Sequence, residues 1–179
     1  TIILKRNDPS AVAKQVSLTE LGSIKINKEE RGKMLKAIPR NSVIGFLIGV
    51  LPGAGATIAS FLAYGMERNF VSDEEKEKFG KGSVHGLTAP ETANNAACSG
   101  AFVPLLTLGI PGSGTTAVML GALLGFGIQP GPRLYITNPE IFWSVIMSMY
   151  IGMVVLLILN LPLIPYIARI LAVPKNYLI

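Results

Sequence analysis

Long uncharged stretches alternate with short charged ones along this chain. No Asp, Glu, Lys or Arg occurs in residues 41–66, 92–132 or 141–168, and 50% of all residues are hydrophobic. Charged residues make up 15% of the chain, whereas a soluble domain averages about 25%. Stretches of this length and polarity are typical of helices that lie in a membrane. The pattern therefore predicts an all-α, polytopic integral membrane protein.

A motif rich in Gly and Pro interrupts two of the uncharged stretches. The sequence PGAGAT at residues 52–57 returns as PGSGTT at residues 111–116. In hydrocarbon, irregular backbone persists only where protein buries it or where it lines a polar cavity. Paired breaks of this kind indicate the binding site of a transporter.

The first break divides residues 41–69 into two arms of about a dozen residues, each roughly 18 Å long as a helix. That is too short for a hydrocarbon core of about 30 Å. We predict a re-entrant helical hairpin here, and a single broken span is the alternative. Residues 89–127 predict a broken transmembrane helix, interrupted at 111–114, whose first turn Thr88 and Glu91 would cap. A turn at residues 129–133 is predicted at the far interface.

The other segments follow from charge and from apolar length. Residues 1–40 hold nine of the sixteen Lys and Arg and predict a cytoplasmic basic linker with a short helix over 28–38, because basic loops beside apolar spans stay in the cytoplasm. Nucleic-acid binding is the alternative, but no aromatic residues interleave with these charges. Residues 70–88 predict a charged cytoplasmic or interfacial connection. A scaffold transmembrane helix is predicted at 138–160, and 161–179 would begin a further, incomplete membrane segment.

The two breaks carry groups that suit an anion. A helix that restarts inside the membrane presents unpaired N–H groups and the positive end of its dipole. Two adjacent Asn side chains supply groups that both donate and accept hydrogen bonds. Tight packing through small residues is the alternative for the breaks, and helix-to-helix hydrogen bonding is the alternative for the Asn pair. The candidate substrate- and ion-binding residues are Pro52, Gly53, Ala54, Gly55, Thr57, Asn94, Asn95, Pro111, Gly112, Ser113, Gly114, Thr115 and Thr116.

Other chemistry has little support in the sequence. No Lys follows the last Gly of either break, so neither break is a Walker loop. Cys98 and His85 are each the only residue of their type, and no nucleophile–base pair or metal-ligand spacing accompanies them. Glu91 is interpreted either as a helix cap or as a functional carboxylate. We predict no catalytic residue and no metal site.

Several longer motifs resemble a known family. Over residues 37–175 the chain is similar to the large membrane subunit of the bacterial tripartite tricarboxylate transporters. The similarity is carried by GVLPGAGAT at 49–57, FGKG at 79–82, GLTAPETANNA at 86–96, LGIPGSG at 108–114, GAL at 121–123 and GIQPGP at 127–132.

The resemblance implies more than the spacing does. It implies a subunit of two repeated halves related by inversion, with this chain a fragment of the second half. It implies import of tricarboxylates or related carboxylates across the bacterial inner membrane, driven by a Na⁺ or H⁺ gradient, without ATP or another cofactor. The implied partners are a small membrane subunit, a periplasmic solute-binding protein, the carboxylate substrate and the lipid bilayer, and no nucleic acid. A non-transporting membrane scaffold subunit and an intramembrane enzyme are the alternatives.

Overall fold

The chain folds as helices. The computed structural model describes residues 26–171, and every regular element within them is a helix, which confirms the predicted all-α class for this range. Residues 1–25 of the predicted linker and 172–179 of the predicted last segment lie outside the described residues. In order, the helices are α1 Lys28–Val50, α2 Gly55–Phe70, α3 Asp73–Lys76, α4 Val84–Gly100, α5 Phe102–Leu108, α6 Gly114–Gly125, α7 Leu134–Thr137 and α8 Pro139–Leu171.

A helical hairpin forms around the first break. α1 ends at Val50, residues 51–54 make the turn, and α2 begins at Gly55. α1 starts at Lys28 and continues through Pro39. The helix predicted over 28–38 and the first arm of the hairpin are therefore one element, and the boundary predicted at residue 40 is wrong as an element boundary.

α4 packs along both arms of the hairpin through small residues. Each of the three helices buries one residue per turn at a spacing of four, which places its buried side chains on one stripe. Four alanines, two from α2 and two from α4, form the common core. Because Gly45 and Gly49 of α1 face the backbone of Ala93 and Ala97 of α4, the two helices approach closely. The buried stripes are Ala37, Asn41, Gly45 and Gly49 on α1; Ala59, Ala63 and Glu67 on α2; and His85, Ala89, Ala93 and Ala97 on α4.

The start predicted for the helix after the charged connection is wrong. α4 begins at Val84, and the Ser83 hydroxyl caps it by accepting from the Gly86 N–H at 3.1 Å. Thr88 lies inside the helix, and the Glu91 side chain is exposed. The interpretation of Thr88 and Glu91 as a capping box therefore does not hold.

The second break lies where the sequence predicted it. α5 ends at Leu108, Gly109 takes a φ of +71°, and α6 begins at Gly114. The Gly131 N–H donates to the Leu106 carbonyl at 3.2 Å, so the chain that follows α6 returns to the end of α5. α6 therefore does not continue along the axis of α5. The turn at 129–133, predicted a helix length away, therefore lies beside the break.

The charged connection is tied to α1. The Glu75 carboxylate of α3 accepts from the ammonium groups of Lys78, at 2.9 Å, and of Lys33 in α1, at 3.0 Å. The hydrogen bonds from Lys78 and Lys33 lower the pKa of the Glu75 carboxyl below its ordinary value. α3 is therefore held against the polar half of α1 by ionised side chains.

α8 is the longest and most apolar helix of the described residues. Within 26–171, its segment Pro139–Ile164 alone is both long and apolar enough to cross a bilayer, with a mean hydropathy of 2.4. The helix runs through Pro162 to Leu171, so the new segment predicted to start at 161 is wrong. Residues Asn27–Ile146 form one compact unit. From Met147 onward, α8 belongs to a second unit. The other predicted membrane segments stay predictions.

Candidate functional site

The second break packs against the end of α1 that leads into the first break, although the two breaks are far apart in the sequence. A Cβ atom added to Gly112 would lie 3.2 Å from the Cβ of Ala101 and 3.5 Å from the carbonyl oxygen of Gly49. Gly49 is in the last turn of α1, directly before the first break, and Ala101 follows α4. The fold therefore places Gly112 of the second break against the last turn of α1, which leads into the first break, and against the end of α4.

The first break is open. Gly53 and Gly55 have φ values of +84° and +69°, which favour glycine, and a Cβ at either position would meet no atom within 4 Å. Ala54 precedes α2 and gives it no side-chain cap. The first-turn N–H groups of α2 therefore have no side-chain acceptor at the N-cap. Pro52 is exposed, and Ala54 is partly exposed. Gly53 and Gly55 are therefore required by the backbone conformation of the break and not by close packing against another helix.

The second break is closed by its own hydroxyl groups. The Ser113 hydroxyl accepts from the Thr116 N–H at 3.2 Å, and the Ser113 N–H donates to the Thr116 hydroxyl at 2.8 Å. Thr116 is 1% exposed and Gly112 is buried, whereas Thr115 and Gly114 are exposed and Pro111 is partly exposed. The hydroxyls of Ser113 and Thr116 thus cap α6. Gly112 is a packing residue, in agreement with the alternative of tight packing through small residues.

A cleft lies between α2 and α4. Its volume is about 400 Å³. Two of the predicted site residues, Thr57 and Asn94, line it. Its other lining residues are Ser60, Phe61, Tyr64 and Pro90. The Ser60 hydroxyl lies within hydrogen-bond distance of two carbonyl oxygens, that of Ala56 on α2 at 2.9 Å and that of Pro90 on α4 at 3.2 Å, and its one proton is shared between them.

The two candidate asparagines have different surroundings. Asn94 is partly buried and lines the cleft. Asn95 is exposed, and its amide donates to the Glu91 carbonyl of its own helix at 2.9 Å. Asn95 is not among the cleft residues. The structure therefore brings Asn94, but not Asn95, together with Thr57.

A buried polar cluster lies near the other end of the hairpin, and sequence reasoning missed it. The Glu67 carboxylate of α2 is 0% exposed. It accepts hydrogen bonds from Arg40 Nε at 3.1 Å and from Asn41 Nδ2 at 2.8 Å, both on α1. His85 Nδ1 of α4 lies 2.7 Å from the same carboxylate. An ionised carboxylate only accepts, so we assign the proton of this contact to Nδ1.

The signal for this cluster was the spacing of four along each helix. Asn41 continues the stripe of Gly45 and Gly49, and Glu67 continues the stripe of Ala59 and Ala63. A charged residue on a stripe of small apolar residues indicates a buried pair and not a solvated flank. Within the described residues, no group of three or more His, Cys, Asp and Glu side chains has the proximity of a metal site.

Comparison with known proteins identifies a protein family that matches this chain. The family model described as the tripartite tricarboxylate transporter TctA family matches residues 2–179. The chain is 39% identical over 173 residues to an uncharacterized 52.8 kDa protein in the TAR-I ttuC' 3'region of Agrobacterium vitis, covering 97% of this chain and 34% of that protein. It is 46% identical over 134 residues to an uncharacterized protein in the TAR-II ttuC' 3'region of the same organism, covering 75% of this chain and 54% of that protein.

No solved structure matches the chain. The chain spans between a third and about half of the length of these two relatives. The family match, by contrast, extends over nearly every residue of the chain, including both breaks and the cleft between α2 and α4. The chain therefore belongs to the tripartite tricarboxylate transporter TctA family.

Proposed function

We propose that the protein containing this chain is the membrane subunit of a secondary active importer, and that the paired breaks contact its carboxylate substrate. The contact of the second break with the last turn of α1, which leads into the first break, carries this proposal. Irregular backbone of this kind is tolerated inside a membrane where it lines a site. The open first break and the adjoining Thr57 offer N–H and hydroxyl donors. A small membrane subunit and a periplasmic solute-binding protein would complete the system.

The charge around the breaks bears on ion coupling. Neither break contains a Lys or Arg, and Arg40, which lies on α1, is already paired with Glu67. A buried anion without a compensating charge is costly, and helix ends contribute only about 0.3–2 kcal/mol each. The proposal therefore includes a coupling cation, Na⁺ or H⁺, that binds together with the substrate.

Asn94 provides the test of the site. In vesicles containing the full-length protein with its partner subunits, Asn94→Ala should raise the half-saturation concentration for carboxylate uptake by roughly tenfold, since a polar partner in the cleft is lost. Asn95→Ala is the matched control and should leave uptake unchanged, because Asn95 bonds to its own helix. Uptake is measured under Na⁺ and pH gradients applied separately.

Each outcome of the uptake assay has a distinct meaning. Absence of uptake under both gradients, with a folded and assembled protein, would favour a scaffold subunit over a transporter. Equal effects of the two Asn variants would remove the cleft from the substrate path. Uptake that depends on neither the Na⁺ gradient nor the pH gradient would contradict the proposed coupling to a cation.

We further propose a topology for the hairpin. The α1–α2 hairpin would enter and leave the membrane on the cytoplasmic face. Residues 89–127 would form a broken membrane helix in which α6 does not continue the line of α5, and α8 would be a scaffold span. The charged segment 70–88 would then be cytoplasmic, in agreement with its tie to the polar half of α1.

Cysteine labelling tests this topology. Ser72 is exposed, so Ser72→Cys in a Cys98→Ser background should react with an impermeant maleimide only from the cytoplasmic face of oriented vesicles. The protein carrying Cys98→Ser alone is the control, and any label it takes up reports cysteines outside this chain. Labelling of Cys at position 72 from the periplasmic face would contradict the cytoplasmic placement of the ends of the hairpin.

A further inference from the structure

The cleft between α2 and α4 has the size of a small-molecule site. Its volume of about 400 Å³ falls in the range of roughly 300–1,000 Å³ found for ligand pockets. α2 contributes Thr57, Ser60, Phe61 and Tyr64 on successive turns, and α4 contributes Pro90 and Asn94. The wall is therefore an aromatic and apolar surface with a few polar groups.

The lining of the cleft has no charge. None of its six residues is Asp, Glu, Lys, Arg or His. The Ser60 hydroxyl is already engaged with carbonyl oxygens, and the Asn94 Oδ1 accepts from the Cys98 thiol at 3.9 Å. This leaves the Thr57 and Tyr64 hydroxyls and the Asn94 NH₂ group for a ligand. A carboxylate placed among these groups would lose its hydration without gaining a counter-charge. The cleft is thus unsuited to the charged end of a carboxylate substrate.

The aromatic rings suit a different part of such a molecule. Phe61 is 75% exposed, so its ring is available at the mouth of the cleft. The Tyr64 ring is held by an edge-to-face contact with Phe79, with centroids 5.1 Å apart. A fixed ring beside an accessible one is a favourable surface for a hydrocarbon or aromatic group.

We propose that this cleft binds the uncharged body of the carboxylate substrate and sets its specificity. It favours carboxylates that carry a branched or aromatic body over compact, fully polar acids of the same charge. The carboxylates themselves lie outside the cleft, toward the breaks and the coupling ion. This inference rests on the proposed transport function and assigns Phe61 and Tyr64 as specificity residues.

Two acids of equal charge test the inference. Succinate and phenylsuccinate carry the same two carboxylates and differ only in a phenyl group. In the full-length assembled protein, phenylsuccinate should compete for the substrate site at a concentration roughly tenfold lower than succinate, because the phenyl group enters an apolar pocket. Phe61→Ala should remove most of this preference and leave the affinity for succinate nearly unchanged. Tyr64→Phe keeps the ring and should keep the preference.

Phe46→Ala is the matched control, because Phe46 is an exposed phenylalanine of α1 that does not line the cleft. It should leave the ratio of the two affinities unchanged. Equal affinities of the unmodified protein for the two acids, or an unchanged ratio in Phe61→Ala, would overturn the inference while leaving carboxylate transport intact. If a lipid chain or another helix occupied the cleft, Phe61→Ala would likewise leave the ratio of the two affinities unchanged, and the inference would be wrong. Failure of both acids and of citrate to bind would instead contradict the proposed function.

Discussion

Replacing Gly49 by Ala should push α1 away from α4 and destabilise the hairpin. A Cβ at Gly49 would lie 2.3 Å from the carbonyl oxygen of Ala97 and 2.6 Å from its Cα. Both are backbone atoms of a helix, so no side chain can move aside to relieve the clash. Overpacking of this kind costs about 1–3 kcal/mol, and occasionally more. We expect a clearly lower temperature of thermal unfolding for the purified full-length protein.

Gly65 is the matched control for this substitution. It lies in α2 of the same hairpin and is exposed, and a Cβ added there would meet no atom within 4 Å. Gly65→Ala should be neutral or slightly stabilising, by up to about 1 kcal/mol, because Ala favours the helix. If the two variants unfold at the same temperature, α1 and α4 do not pack at backbone contact.

The glycines illustrate what the sequence could and could not predict. The breaks were predictable because Gly and Pro act locally, through the conformation of their own backbone. The structural roles of the individual glycines were not predictable. Gly53 adopts a positive φ and has no neighbouring atom in the way of a Cβ, whereas Gly112 is packed against Ala101. Packing depends on residues that are distant in the sequence, such as Gly49 and Ala97.

The start of α4 shows the same limit. Thr88 and Glu91 have the spacing of a capping box, yet Ser83 caps the helix one turn earlier. The additional turn contains His85, which reaches Glu67 on α2, and Gly86, which packs against the Phe79 ring. Tertiary contacts thus outweighed the local signal. Pro162 did not end α8 either, and the helix continues to Leu171.

Glu67 joins three helices through one carboxylate. Arg40 and Asn41 reach it from α1 and His85 reaches it from α4, so the carboxylate fixes how both helices lie on α2. Asn41 Oδ1 is buried and has no hydrogen-bond partner within the described residues. Its amide already donates to the Ala37 carbonyl and to Glu67, which fixes the orientation of the side chain.

Replacing Glu67 by Gln should strongly destabilise the protein. The substitution preserves volume but removes the charge and replaces one accepting oxygen with an N–H group that faces other donors. Breaking a buried pair by removing one partner costs about 3–5 kcal/mol. We expect a large fall in the unfolding temperature of the full-length protein and in its yield. Glu91→Gln, the same change at an exposed position of α4, is the control and should have little effect.

A double variant separates the cost of breaking the pair from the value of the pair itself. Arg40→Met with Glu67→Leu replaces the ion pair by apolar side chains, and such replacements are often neutral or stabilising. The Arg40 side chain is 29% exposed, so its loss also removes a partly solvated charge and its contact with the Phe70 ring. We expect the double variant to recover part of the stability lost in Glu67→Gln, because the Asn41 amide and His85 Nδ1 still lack their acceptor. If it is as unstable as the single variant, the carboxylate with its ion pair and its hydrogen bonds to Asn41 and His85 contributes net stability to the hairpin. If Glu67→Gln itself is as stable as the Glu91→Gln control, the buried cluster does not hold the three helices together.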